Sequence, residues 1–283
     1  MRIINPSIQE LVQNRTDKSD MLKHIELCGR TCYKSEDRIT DDSYVRFVKM
    51  LKEHAHGAML EHGTVYLTVP HYNDGDDDRR HLEYQYMILL HNKFSKTVFN
   101  MDDESDACAY ITTNYRVIVE NNLYDIMDKY QVLEPTEHHE TRRTFKITCN
   151  RGVSHEFVRH RVFSFAQESQ RYVNYSKDKF GNEIKVIQPL YFTEGSHNYW
   201  LWEKACKEAE AHYFALLSNG TTPQEAREVL PNSTATELIM TGFESDWEHF
   251  FSLRCAKDAH PQAREVANMI KEKFEEKNKW LIY

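Results

Sequence analysis

Glycine and proline are scarce in this chain, 9 and 7 of 283 residues, so collagen-like and low-complexity architectures are excluded. Positive charge is also short. Lysine and arginine number 36 against 44 aspartates and glutamates, a formal net charge of -8, which opposes the broad basic face a nucleic-acid-binding protein needs and leaves room only for a local basic pocket. No run of apolar residues has the length of a membrane span. The opening MRIINPSIQELVQNR carries neither an apolar leader core nor a small-residue cleavage site, so the expected location is cytoplasmic, with no membrane partner. The six cysteines, Cys28, Cys32, Cys108, Cys149, Cys206 and Cys255, form no CxxC pair and are predicted to be free, buried thiols. There is no fixed-period repeat and no G-x-S-x-G elbow.

What the chain does have is a globular balance, 40% hydrophobic and 28% charged, and enough length for a large core in one domain. Arg2–Ile4 reads as a short strand, and Ser19 or Asp20 caps a predicted helix to about Cys32 with Met21, Ile25 and Cys28 on its apolar face. A second helix opens at Thr40-Asp41-Asp42 and buries Val45, Phe47, Val48, Met50 and Leu51. Gly63–Pro70 alternates β-branched and aromatic residues and reads as a strand. Tyr84–Leu90 is an ordered apolar strand or helix, Ile111–Asn122 a helix starting near Thr113, and His138–Arg143 (HHETRR) a segment that could bind an anion but, without Gly-rich or hydrophobic support, is read as a loop. Phe145, Ile147 and Cys149 mark a strand, followed by a short helix over Val153–Arg159 and, beyond it, a loop over Val173–Asn182. Further helices are predicted at Tyr199–Leu217, with Trp200, Ala205, Ala209, Tyr213 and Leu216 inward, after Thr222-Pro223, at Asp246–Arg254 and at His260–Lys277 with Ala263, Val266, Ala267 and Ile270 inward. Ser233–Thr241 is extended. Strands and helices mix without a βαβ repeat, which predicts an α+β fold, mainly an antiparallel sheet flanked by helices.

The densest chemistry lies in RHRVFSFAQESQRY, Arg159–Tyr172. Arg159, Arg161 and Arg171 are forked donors suited to phosphate or a carbonyl edge, and Ser164 and Ser169 add hydroxyls, a set that fits an anionic, planar ligand. A solvated basic loop would need none of the interleaved aromatics. Three other readings stay open on residue types alone. Ser169 with His160 could make a nucleophile and base; His54, His56, Glu61 and His62 could hold a metal for a nucleotide phosphohydrolase, though no second cluster completes the ligand set; and the arginines could serve a phosphate- or RNA-binding module.

The spacing R-H-R, seven residues, then Ser169 resembles the signature of the flavin-dependent thymidylate synthases. Three more segments resemble the same family in the same order: HGAMLEHGTVYLTV at His56–Val69, RGVSHEFVRHR at Arg151–Arg161, and AREVLP with WEHFFSLR within Ala226–Arg254. The likeness covers most of 1–70 and 140–275, so one catalytic domain over 1–283 with an insertion at about 71–140 is expected. The resemblance implies reductive methylation of dUMP to dTMP with methylene-tetrahydrofolate as carbon donor, FAD as hydride carrier and NADPH as reductant, in a homotetramer with shared sites, without a cysteine nucleophile or a metal. Position by position, it implies dUMP contacts from Glu156, Arg159, Gln167, Glu168, Ser169, Gln170, Arg171, Arg227 and Arg254. Arg171 and Arg227 would take the phosphate, and Arg254 would be catalytic at the uracil edge. FAD contacts are implied for His62, Thr64, Arg159, His160, Arg161, Gln167, Phe243, Ser245 and His249. Glu156 stands where glutamine is frequent, His249 where asparagine is common, and Phe243–Ser245 where more polar or basic groups are usual.

Overall fold

The computed structural model describes residues 1–70, 78–100, 108–177 and 180–280, with side chains described outside 78–80 and 277–280. Part of the predicted polar segment Asn100–Asp106 and of the loop Val173–Asn182 lies outside the described residues.

Two antiparallel sheets carry the fold, and one helix lies between them. The elements begin with β1 (Arg2–Ile4), β2 (Ser7–Glu10), α1 (Asp20–Tyr33), α2 (Ser43–Glu53), α3 (Gly57–Leu60), β3 (Thr64–Pro70), α4 (Asp78–His91), β4 (Lys96–Asn100), β5 (Cys108–Asn114), α5 (Tyr115–Glu120), α6 (Tyr124–Tyr130) and β6 (Gln131–Val132). They continue with β7 (Arg142–Asn150), α7 (Arg151–Phe157), β8 (Ser164–Gln167), β9 (Lys185–Ile187), α8 (His197–Ser218), α9 (Pro223–Ala226), β10 (Ala235–Phe243), α10 (Glu244–Arg254) and α11 (Pro261–Trp280). Sheet one runs β2-β7-β10-β8 and sheet two β4-β5-β3-β6; β1 and β9 form a separate parallel pair. The α+β class and the antiparallel pairing agree with the sequence.

Alternation along β7 and β10 sorts sheet one into two faces. Phe145, Ile147, Cys149, Leu238 and Met240 pack with Trp247, Phe250, Ala263, Val266, Ala267 and Ile270 from α10 and α11. Ile239 and Ala166 point the other way, onto Cys28 and Cys32 of α1. The same helix, a turn earlier, sends Met21 and Ile25 into the core of sheet two. At Gly242 in β10 an added Cβ would stand 2.4 Å from two ring carbons of Phe163, so the close approach of that ring requires glycine.

Several expectations need correction. Ile111–Asn114 is not helical: it completes β5, and helix α5 starts only after Asn114, whose side chain accepts from the Val117 amide. Periodicity failed there because a strand runs directly into a helix across its own N-cap. HHETRR is a loop only to Thr141; Arg142 and Arg143 open β7, with Arg143 placing a two-pronged ion pair on Glu10 of β2 at 2.7 and 2.8 Å. Their charge disguised the strand. Val45 is exposed, whereas Phe47, Val48 and Leu51 are buried as expected. Helix α8 buries Tyr213 as expected and packs Leu216 beside it, but its other buried residues are Tyr199 and Cys206, and Trp200 and Ala205 are exposed. The helix after β7 begins at Arg151, capped by Asn150, and ends at Phe157. None of the six cysteines is in a disulfide, and four of them are buried; Cys108 and Cys255 are partly exposed. Tyr84–Leu90 belongs to helix α4. The stretch 71–140 contributes β4, β5 and β6 to sheet two beside β3. No helix among the described residues is long and apolar enough to cross a membrane.

Candidate active site

The residues singled out in the sequence gather around sheet one in three groups. The first surrounds the turn that follows α7. Arg254, at the end of α10, donates from Nε to His160 Nε2 at 2.8 Å, from Nη1 to Glu156 Oε2 at 2.7 Å and from Nη2 to the Glu156 carbonyl at 2.7 Å. Because a guanidinium only donates, His160 accepts at Nε2 and its hydrogen belongs on Nδ1. Burial, and then the Arg254 charge, lower the His160 pKa to about 4, so the ring is neutral. Burial pushes Glu156 upward, but the hydrogen bond from Arg254 and the charges of Arg159 and Arg254 hold it below its ordinary value. Arg159 is 70% exposed and 3.8 Å from Glu156; Arg161 and His249 are exposed as well. Two of the five guanidinium hydrogens of Arg254 remain for a ligand.

The second group occupies the end of β8 and the loop beyond it. Gln167 Nε2 donates to Ser154 of α7 at 3.0 Å and to Thr236 of β10 at 3.3 Å, which uses both amide hydrogens and fixes its carbonyl as the acceptor end. Glu168 is buried, accepts from Tyr175 at 3.1 Å, and lies 3.7 Å from Lys34; burial raises its pKa, against the pull of Lys34. The Ser169 amide bonds to the Cys32 carbonyl at 3.0 Å, tying the loop to α1. Gln170 is buried with no partner for Nε2. Arg171 is exposed and donates to Gln224 of α9 at 3.1 Å, and Arg227 follows directly after α9. Arg151, which the sequence reading passed over, joins them. Burial lowers its pKa, Tyr175 and Glu168 oppose that, and Arg227 lies close enough to lower it further. Two guanidinium groups within electrostatic reach of each other are the kind of pair that an anion would stabilise.

The third group lies between sheet one, α1 and α3. His62 is fully buried, bonded through Nδ1 to Thr241 Oγ1 at 2.7 Å and unpartnered at Nε2. Thr64 exchanges main-chain bonds with the Gln13 side chain at 2.8 and 2.9 Å. Arg142, also missed from sequence, donates to the Glu61 carbonyl at 3.0 and 3.1 Å, to Thr64 Oγ1 at 3.3 Å and to Ser164 Oγ at 3.2 Å. Burial pulls its pKa down to about 10, so it is still a cation at neutral pH. Its signals in the sequence were the basic HHETRR segment, read as a loop, and the alternation of Arg142 with Thr144 and Lys146. Phe243 is buried under the Lys96 ammonium, 4.4 Å from its ring centre, and Lys96 also reaches the exposed Ser245 hydroxyl and Glu140.

The rival chemistries find less support in this geometry. His160 Nε2 faces Arg254 rather than Ser169, so no nucleophile and base pair forms there. Glu61 is bound to Arg116 at 2.6 Å, His62 is interior, and His54 and His56 are exposed, which scatters the candidate metal set.

Besides His160, burial lowers the pKa values of two fully interior histidines strongly, His24 to about 4 and His62 to about 3. The unfolded chain therefore takes up protons near pH 6.5 that the folded chain refuses, and stability must fall as pH drops below that value toward 4. Urea unfolding at pH 7 and pH 5 is expected to reveal a loss of roughly 1–2 kcal/mol per ring. A midpoint unchanged between those two pH values would contradict the neutral assignment.

The chain is similar to several known proteins. The family model described as thymidylate synthase complementing protein matches residues 92–278. A flavin-dependent thymidylate synthase of Geobacter sulfurreducens is 35% identical over 118 residues, 42% of this chain and 49% of the relative. That of Pyrococcus furiosus is 33% identical over 125 residues, 44% of this chain and 50% of the relative. The chain thus spans about half the length of the curated relatives it matches. A solved structure of the UMP/dUMP methylase PolB from Streptomyces cacaoi bound with 5-Br dUMP aligns over 98% of this chain and 93% of that one, with a TM-score of 0.45 and 16% identity. With most of its length matched by the family model and the R-H-R-x7-S stretch inside that match, the chain belongs to the thymidylate synthase complementing protein family, that of the flavin-dependent thymidylate synthases.

Proposed function

We propose that this chain converts dUMP to dTMP by reductive methylation, with methylene-tetrahydrofolate as carbon donor, FAD as hydride carrier and NADPH as reductant. The observation that carries the reading is the hydrogen bond from Arg171 to Gln224 of α9, which ties the Gln167–Arg171 loop to the helix that Arg227 follows, with Arg151 within electrostatic reach of Arg227. In this reading the arginines hold the nucleotide phosphate, the carbonyl of Gln167 takes a uracil N–H, and the spare hydrogens of Arg254 meet a uracil oxygen. A positive charge there stabilises the ring as electron density builds at C5. Glu156 and His160 fix the plane of that guanidinium. Within one catalytic domain over 1–283, the stretch at about 71–140 is read as an insertion.

The residues present suit a flavin. His62 Nε2 and Arg142 Nε are buried polar atoms without partners, and the exposed forks of Arg159 and Arg161 are the donor type a diphosphate requires. When bound, FAD supplies hydride, which no side chain can. His62, Thr64, Arg159, His160, Arg161, Gln167, Phe243, Ser245 and His249 are the residues assigned to hold it. Purified protein is expected to be yellow and to bind FAD, and Arg159→Ala to weaken that binding, read by fluorescence titration. A colourless protein that takes up no added FAD would sink the assignment.

A homotetramer with shared sites follows from the same reading. Its support is apolar surface flanking the charged motif: Val162 at 56%, Leu253 at 49% and Tyr172 at 62% exposure. Light scattering behind size exclusion is expected to give four times the 33.6 kDa chain mass. A monomer in an active sample would count against it. Action in the cytoplasm, without nucleic-acid or membrane partners, belongs to this proposal.

A further inference from the structure

Between sheet one and α1 runs an unbroken line of hydrogen-bonded side chains. His62 Nδ1 meets Thr241 Oγ1 at 2.7 Å, Thr241 Oγ1 meets Thr144 Oγ1 at 2.8 Å, and Thr144 Oγ1 meets His24 Nε2 at 3.2 Å. The two threonines are directly opposite one another on β10 and β7. All four side chains are buried, at 0 to 5% exposure, and the outer nitrogens, His62 Nε2 and His24 Nδ1, have no partner. Cys28 Sγ, 3.7 Å from His24 Nε2, is a weak neighbour able to donate or accept.

Counting hydrogens constrains this line. Burial and the nearby Arg142 charge keep both rings neutral, so each imidazole contributes one N–H and each threonine one O–H, four in all. Three hydrogens occupy the three bonds. If no hydrogen is to be stranded on a threonine, the fourth sits on one outer nitrogen. If it is on His62 Nε2, every bond points from His24 toward His62 and both rings are Nε2–H tautomers. If it is on His24 Nδ1, every bond points the other way and both rings are Nδ1–H tautomers. Both N–H groups turned outward would set the two threonine lone pairs face to face, and both turned inward would strand one threonine hydrogen without an acceptor in the line, either at a cost of about 1–3 kcal/mol in a dry interior.

We propose that Thr241 and Thr144 are positioning residues that lock the tautomers of His62 and His24 together, letting His62 Nε2 present either a donor or an acceptor to a bound ring without ionising. Changing from one arrangement to the other removes a proton from one outer nitrogen and adds one to the other, both exchanged with solvent, so the count of four is kept. The part that concerns a bound ring rests on the assignment of His62 to the flavin site; the coupling itself does not.

The test uses full-length protein with ring-15N-labelled histidine, with the two signals assigned through His24→Gln and His62→Gln. Imidazole 15N shifts distinguish the Nδ1–H, Nε2–H and doubly protonated forms. At pH 7 without ligand, both rings should report the same neutral tautomer. On titration with FAD, a change at His62 should be accompanied by the same change at His24. Thr241→Val should abolish that correspondence and Thr241→Ser restore it, a rescue that a purely space-filling role would not give. One ring Nδ1–H and the other Nε2–H, or either ring doubly protonated, would overturn the coupling. If Thr241→Val does not fold, Thr144→Val breaks the line at the next bond, and the wild-type tautomers decide alone. Matched tautomers with no response of His62 to FAD would instead overturn the flavin assignment and leave the coupling standing.

Discussion

Arg254→Ala is expected to lower the rate constant at saturating dUMP by roughly 10²-fold or more, the scale of a lost electrostatic contact made in the transition state. The guanidinium is already oriented by Glu156 and His160, so its stabilisation of the uracil ring costs little reorganisation when charge develops. Tritium release from [5-3H]dUMP, with FAD, NADPH and methylene-tetrahydrofolate present, reports the step. Ser169→Ala provides the contrast. Its hydroxyl is assigned to substrate holding, and its amide bond to Cys32 survives the change, so weaker dUMP binding with residual turnover is expected. Complete inactivity of Ser169→Ala beside an unimpaired Arg254→Ala would reverse the roles and restore the hydrolase reading. The Arg254 variant also strands Glu156 next to Arg159, so Arg254→Lys, which keeps the charge and loses the fork, separates charge from geometry.

The largest loss of stability is expected from Trp247→Ala. Trp247 is fully buried at the centre of an aromatic cluster, with ring centres of Phe163, Phe145, Phe250, Phe274 and Phe251 at 4.6 to 6.0 Å. Its indole N–H donates to the Arg143 carbonyl at 3.3 Å. Removing the side chain deletes this transfer energy, opens a cavity among rings that cannot collapse together, and unsatisfies an acceptor, for about 3–5 kcal/mol. Urea unfolding measures it. A loss below about 1 kcal/mol would mean that α10 does not hold to sheet one through this residue.

How far the sequence could be read depended on whether a residue's role was local. Met21, Ile25 and Cys28 are buried as their spacing predicts, because α1 needs one apolar stripe on each of two cores and helical periodicity supplies both. Ala263, Val266, Ala267 and Ile270 on α11 behave likewise. Arg142 did not yield to that approach. Its neighbours Glu61, Thr64 and Ser164 come from distant segments, and a charged residue opening a buried strand looks like loop until those acceptors are in place. Arg151 was hidden similarly, since its meaning comes from Arg227 across the fold. The motif residues Arg159–Arg171 were legible as chemistry, and the three-bond clasp of Arg254 on Glu156 and His160 was not, because it joins α7 and the turn after it to α10, nearly a hundred residues on.

Sheet one has a consequence for the order in which the molecule can form. Its central strands β7 and β10 pair from Arg142↔Phe243 to Asn150↔Ala235, and β7 takes its other neighbour from Ser7–Glu10. A chain leaving the ribosome from its N-terminal end can complete β3, β5 and β6 early, since those partners fall within residues 64–132. The β7 edge, by contrast, must wait for about the last fifth of the chain before β10 arrives. Until then, its Phe145, Ile147 and Cys149 face has none of the cover that α10 and α11 later provide. The interval of synthesis between residues 150 and 243 is therefore the period in which this protein most depends on chaperones and is most exposed to self-association through a free strand edge.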